Sequence, residues 1–174
     1  EHEATKIVHA LPNSVISERY KSIRTALILA ASKNGSTTLL ITSMTQKAGK
    51  TVTATNLAIS LAQSERRVLL VDGDMRRPRI HKIFGVNNEN GLSNCLADGS
   101  ADSVRKTEES PHLHILTSGP IPPNPSELLS TGRLKDFIRR LQETFDFIVF
   151  DSPPMANVTD AILIGKIVDH TILV

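Results

Sequence analysis

"ITSMTQKAGKTVTATNLA", residues 41–58, is the stretch on which the fold turns. Its Ala48-Gly49-Lys50-Thr51 ends as the phosphate-binding pattern G-x-x-x-x-G-K-[ST] ends, yet the position of the first glycine holds Met44. The flanks decide how to read it. "STTLLITS" before it is a short run of a buried strand, and "TVTATNLAISLAQSE" after it has helical character. A loop between a buried strand and a helix aims backbone N–H groups and a helix N-terminus at phosphate oxygens. Gly49 would let the backbone come close, Lys50 would neutralise β- and γ-phosphate charge, and the Thr51 hydroxyl would ligate Mg²⁺. Without a nucleotide, the same residues make an ordinary strand-to-helix turn.

Working outward, "RRVLLVDGD", "HLHILTS", "FDFIVFD" and "HTILV" are further apolar, β-branched runs. Between them lie helical stretches at "PRIHKIF", "GLSNCLAD", "TGRLKDFIRRLQETF" and "NVTDAILIGKIV". "GPIPPNPSELLS" reads as a proline-stiffened loop entering a helix, where Ser126 and Glu127 suit the positive N-terminus. Buried strands alternating with helices predict an α/β fold, a three-layer α/β/α sandwich with a mostly parallel sheet. At 174 residues the chain has room for a single domain over 1–174. We expect residues 1–14 to be a flexible lead-in. Glu1 in place of Met, and an end inside what reads as a buried strand, suggest a piece of a longer protein, truncated at its C-terminus.

Composition removes several classes of function. Aromatic residues are 3% of the chain, which argues against base-stacking readers of single-stranded nucleic acid, and a net charge of +2 with both signs dispersed leaves no nucleic-acid footprint. One cysteine, Cys95, excludes an internal disulfide and fits a reducing compartment. The His112/His114 pair lacks the cysteine company of a zinc site. No apolar run is long enough to span a bilayer.

Two of the strands end in aspartate. "VLLVDGD" carries Asp72 and Asp74 and "FIVFD" carries Asp151. Carboxylates at strand C-termini in an open α/β sheet face the crevice where ligands bind, although Asp also makes turns and helix caps. Residue 152 is Ser, so the glutamate that many ATPases place after the magnesium-binding aspartate is missing. A general base must come from elsewhere, with Asp72 or Asp74 the candidates. Transfer to a hydroxyl acceptor is compatible with that.

"SMTQKAGKTVTATNLAISLA", "RRVLLVDGDMRRP", "GPIPPNPSELL" and "FDFIVFDSPP" together resemble the bacterial tyrosine kinases. These belong to the deviant Walker class of P-loop NTPases, with the division-site and plasmid-partitioning ATPases. The D-x-D-x-R-x-P run over 72–78 and the P-P-N-P-x-E-L-L run carry the likeness most specifically. Partitioning ATPases usually show a signature lysine five residues before the loop lysine; Thr45 stands there.

The resemblance implies a three-layer P-loop fold and an ATP- and Mg²⁺-dependent protein-tyrosine kinase. It implies ATP bound by Thr45, Gln46, Lys47, Ala48, Gly49, Lys50, Thr51 and Val52. Magnesium would be held by Thr51, Asp74 and Asp151, and catalysis carried by Lys50, Asp72 and Asp74, with Asp72 deprotonating the tyrosine. The family's E-x-x-R-x-x-R oligomerisation motif appears as Glu18, Lys21 and Arg24, on the helix "VISERYKSIRTALILA". We expect these to face away from an apolar stripe of Ile16, Tyr20, Ile23, Leu27 and Ala30. As partners the resemblance implies a ring-like homo-oligomer built through that helix, a transmembrane activator domain in the same or a partner chain, and a phosphotyrosine phosphatase. It places the enzyme on the cytoplasmic side of the bacterial inner membrane, in exopolysaccharide synthesis and export, phosphorylating a C-terminal tyrosine cluster in trans. This chain's one tyrosine, Tyr20, reads as core. Where family members often show P-G-E-G-K-[ST], this chain has Gln46-Lys47-Ala48 before Gly49. The rivals are a partitioning-type ATPase and an ATP-gated assembly module without kinase activity.

Overall fold

The computed structural model describes residues 5–31, 35–99, 102–130, 132–156 and 158–174. Residues 1–4 of the expected lead-in, Thr131 and Asn157 lie outside them. In chain order the elements are α1 (Ile7–Ala10), α2 (Val15–Ala30), β1 (Thr37–Thr42), α3 (Lys50–Ala62) and β2 (Val68–Asp72). There follow α4 (Ile80–Ile83), α5 (Leu92–Asp98), β3 (Arg105–Lys106), β4 (Leu113–Leu116) and α6 (Pro125–Ser130). The chain finishes with α7 (Gly132–Gln142), β5 (Phe147–Asp151), α8 (Asp160–Gly165) and β6 (His170–Leu173).

The six strands lie in the order β3-β4-β2-β5-β1-β6, and every pairing is parallel except β3 with β4. Successive side chains on a strand point to opposite faces, and both faces here are covered. Leu40, Leu69, Val71, Ile148 and Phe150 pack with α5, α6, α7 and α8. Leu39, Ile41, Val68, Leu70, Phe147 and Val149 pack with α1, α3 and α4, and with the inner edge of α2. That is why β1, β2 and β5 read as unbroken apolar runs, and it gives the three-layer α/β/α sandwich of a P-loop protein.

The structure adds one element and corrects three expectations. β3 is a two-residue antiparallel edge that charged residues form, with no apolar pattern to announce it. β6 is an exposed edge strand rather than a buried one, with Leu173 59% exposed. Residues 5–10 of the lead-in are docked: Val8 is fully buried, its N–H donating to Asn56 Oδ1 (2.8 Å), while Asn56 Nδ2 donates to the carbonyls of Thr5 (2.7 Å) and Val52 (2.8 Å). Lys6 adds an ion pair with the mostly buried Glu109. On α2 the packed face is turned from the expected stripe. Ile16 and Ile23 are 50% and 42% exposed, and Ala30 is exposed, while Ser17 is buried and Tyr20, Arg24, Leu27 and Ile28 are half-buried. Arg24 therefore does not face away: its Nη1 donates to the Ser60 carbonyl of α3 (3.1 Å). Lys21 pairs with Glu18 along the helix.

Candidate functional site

The loops that follow β1, β2 and β5 meet at the C-terminal edge of the sheet. Gly49 caps α3 in the left-handed region, φ +95°, where a side chain is disfavoured. Lys50, the first residue of α3, is only 8% exposed. Lys47 also has positive φ, +60°. It stands where the resemblance leads one to expect glycine, so the departure falls on the loop position whose backbone prefers one.

The far end of the loop is pinned to the β5 side. Met155 N–H donates to the Ser43 carbonyl (2.8 Å), and the Thr42 hydroxyl donates to the Pro153 carbonyl (3.1 Å). Ser152, at the position of the missing glutamate, is fully buried and donates its hydroxyl to the Ile41 carbonyl (3.0 Å). Its role is to hold the ends of β1 and β5 together.

Asp72 and Asp151 stand opposite each other in the β2–β5 register. Both are essentially fully buried, and each has one carboxylate oxygen, Oδ1, with no hydrogen-bond partner. Burial raises the Asp151 carboxyl to about 7; the neighbouring Asp74 charge adds to the rise, while the Thr51 hydroxyl and Lys50 oppose it. Burial, and then the Asp151 charge, lift Asp72 well above the usual carboxylate range. Two unpartnered carboxylate oxygens beside a threonine hydroxyl are a hard-oxygen donor set. That fits Mg²⁺, which takes one or two carboxylates and completes its shell with water and phosphate. No group of three or more His, Cys, Asp or Glu residues placed to hold a metal occurs among the described residues.

The close approach of the two strand ends depends on Gly73. Its N–H donates to the Asp151 carbonyl at 2.7 Å, and a Cβ there would sit 2.7 Å from the same oxygen.

Asp72 and Asp74, both expected to take part in catalysis, sit differently. Asp72 accepts the N–H groups of Arg79 and Ile80 through Oδ2 (both 3.0 Å) at the start of α4, and it does not line the cleft. Its other oxygen, Oδ1, has no partner. Asp74 does line the cleft, and its Oδ1 accepts from the N–H groups of Arg76 (3.2 Å) and Arg77 (3.0 Å).

The cleft has a volume of about 320 Å³ and is lined by Lys50 and Thr51 from the start of α3 and by Asp74, Arg76, Arg77 and Arg79 from the segment after β2. Of the loop residues expected to bind nucleotide, Gln46, Lys47, Gly49, Lys50, Thr51 and Val52 line it, whereas Thr45 and Ala48 do not. Arg77 Nη1 reaches across to Gln46 Oε1 (3.0 Å). Arg76 holds the fully buried Asp160 through Nε (2.8 Å) and Nη2 (3.2 Å), and the Ser126 hydroxyl donates to the same carboxylate (2.6 Å). Ser126 thus serves this network and not the start of its helix, as expected from the sequence. The arginines sat in plain view in "DMRRP", but Asp160 gave no signal, since an Asp at a helix start is ordinarily a cap.

A family model described as an AAA domain matches residues 38–170. The tyrosine-protein kinase YwqD of Bacillus subtilis is 40% identical over 165 residues, which are 94% of this chain and 69% of that protein. The tyrosine-protein kinase Etk of Escherichia coli K12 is 36% identical over 160 residues, 90% of this chain but only 22% of Etk. The solved kinase domain of E. coli ETK superposes with a TM-score of 0.90 at 33% identity, covering 97% of this chain and 67% of that one. The septum site-determining protein MinD of Pyrococcus horikoshii, solved with Mg-ADP, matches at a TM-score of 0.67 and 27% identity, over 80% of this chain and 57% of its own. With a phosphate loop facing strand-end aspartates, and kinases related to it along nearly its whole length, the chain belongs to the bacterial tyrosine-protein kinase family, within the AAA-domain class of P-loop proteins.

Proposed function

We propose that the chain transfers the γ-phosphoryl group of ATP to tyrosine hydroxyls. What supports this most directly is the cleft itself, which Lys50 and Thr51 line together with Asp74 and three arginines. Lys50 and the N-terminus of α3 hold the nucleotide phosphates. Thr51 and Asp151, with Asp72 behind them, are the residues for Mg²⁺, which when bound neutralises phosphate charge. Asp74 is the carboxylate open to the cleft, and we assign it the proton of the acceptor hydroxyl. The phenolic oxygen forms a bond to the γ-phosphorus as the bond to the β–γ bridging oxygen breaks. ADP leaves with that electron pair, and Asp74 takes the phenolic proton. Asp72 is coupled to Asp151 through charge.

Tyr20 is half-buried against the core, which supports an acceptor tyrosine elsewhere. By family pattern we assign the reaction to a C-terminal tyrosine cluster of a neighbouring copy, in the control of exopolysaccharide synthesis and export. The enzyme would work at the cytoplasmic face of the inner membrane with a transmembrane activator domain, opposed by a phosphotyrosine phosphatase. No helix among the described residues is long and apolar enough to cross a membrane. For a ring of copies, α2 offers exposed Ile16 and Ile23 beside Glu18 and Lys21, whereas Arg24 is already engaged by α3.

The test is incubation of the chain with labelled ATP, Mg²⁺ and a tyrosine-rich peptide. Labelled phosphotyrosine, lost in Lys50→Met with the fold intact, is the expected result. Phosphate release without labelled protein or peptide would point instead to a partitioning-type ATPase. ATP-dependent assembly with neither would point to an assembly module.

A further inference from the structure

Arg76, Ser126 and Asp160 come from three separate segments of the chain and close on one another behind the cleft. Asp160 is fully buried, and its two oxygens take Arg76 Nε (2.8 Å), Arg76 Nη2 (3.2 Å) and the Ser126 hydroxyl (2.6 Å). Arg76 Nη2 also donates to the Ser126 oxygen (3.0 Å). A guanidinium has five N–H donors in a rigid fork. Nε and Nη2 are occupied by these contacts, whereas the two N–H groups of Nη1 have no acceptor among the described residues.

The two ends of this ion pair sit in different surroundings. Asp160 is enclosed, while the Arg76 side chain is 40% exposed and lines the cleft. Burying a lone carboxylate is costly, so Asp160 holds the guanidinium firmly. The main chain is fixed as well, because Arg76 N–H donates to Asp74 Oδ1 (3.2 Å). A rigid, bidentate cation that lines a cleft and keeps donors without an acceptor is a pre-oriented anion receptor.

We propose that Arg76 is the receptor for the oxygens of the transferring phosphoryl group, and that Asp160 and Ser126 are the residues that position it. The proposal rests on the phosphotransferase reading above. Arg76 shares its loop with Asp74, the residue assigned to the acceptor hydroxyl, so the phosphoryl group near both is the one in transfer. Charge spreads over the oxygens of that group during transfer, where a fixed cation is most effective.

The test is calorimetric titration of the chain, with Mg²⁺, by a non-hydrolysable ATP analogue and separately by ADP. Arg76→Gln should weaken the analogue by about 10- to 100-fold, as expected for lost charged hydrogen bonds. Its effect on ADP should stay under about threefold, since ADP lacks the third phosphate. Ser126→Ala should weaken the analogue by roughly two- to fivefold, and by nothing further in the Arg76→Gln background, because it acts only through Arg76. Asp160→Asn should behave like Arg76→Gln without adding to it; should that variant fail to fold by circular dichroism, Ser126→Ala carries the test. Analogue binding by Arg76→Gln within about threefold of wild type, or a Ser126 effect undiminished in that background, overturns the proposal. So does an equal loss for ADP and analogue. A wild-type chain that binds neither nucleotide would overturn the phosphotransferase reading too. Binding of both, with no loss on Arg76→Gln, overturns this proposal alone.

Discussion

A methyl group on Gly73 would lie 2.7 Å from the Asp151 carbonyl oxygen, and one on Gly49 would touch nothing. The two positions need glycine for opposite reasons. At Gly73 the neighbouring strand is too near, and at Gly49 the backbone angle of +95° is the obstacle. Gly73→Ala should cost about 1–3 kcal/mol of stability through overpacking. It should also weaken Mg-nucleotide binding, since relief requires Asp151 to move. Gly49→Ala should cost about 1–2 kcal/mol without displacing Asp151. Thermal melts with and without Mg-nucleotide check both; unchanged binding in Gly73→Ala would show that the β5 end tolerates the shift. At this scale Lys50, Thr51 and the strand-end aspartates were legible, because motif and strand end announce them together. Asp72's enclosure was not legible, since it depends on α4 folding back to donate two N–H groups. Nor was the glycine-like backbone of Lys47, which a sequence disguises completely.

The strands were readable because burial on both faces demands uninterrupted apolar residues, as in "TTLLIT", "VLLVD" and "FIVFD". α2 was harder. It packs on α3 with Tyr20, Leu27 and Ile28 half-buried, and small Ser17 is fully buried, its hydroxyl donating to the Leu11 carbonyl (2.6 Å). Hydrophobic periodicity alone then pointed to Ile16 and Ile23, which the fold leaves exposed. Those residues supply the element's prediction. Ile16→Glu combined with Ile23→Glu should shift monomer stability by no more than about 1 kcal/mol, as surface substitutions do. The same pair should weaken self-association measured by analytical ultracentrifugation. A large drop in melting temperature would show that the face packs within the monomer; unchanged association would remove α2 from any ring contact.

Over the molecule as a whole, the ligand edge of the sheet is set under electrostatic tension. Asp151 titrates at about 7 in the folded chain because it is buried, against about 4 when unfolded. The folded state thus holds that proton more tightly. The stability this contributes is complete below about pH 4 and disappears as pH rises through about 7. Relative to Asp151→Asn, the nucleotide-free wild type should lose roughly 2–4 kcal/mol between pH 4 and pH 8. Urea denaturation at the two pH values measures it, and parallel behaviour of the two proteins would clear Asp151 of the effect. Mg-nucleotide should restore the loss at high pH, because a cation then meets the ionised pair. The opposite side of α3 carries a different burden. Residues 5–10 reach this helix through two amides, Asn56 and the C-cap residue Gln63, and through the buried Val8 side chain, and the Lys6–Glu109 pair fastens the same stretch toward β4. A pull along the chain from that side would load α3, which begins with Lys50 and Thr51, together with the turn that enters β4. The nucleotide grip therefore lies in the mechanical path through the domain, where force and phosphate binding share one helix.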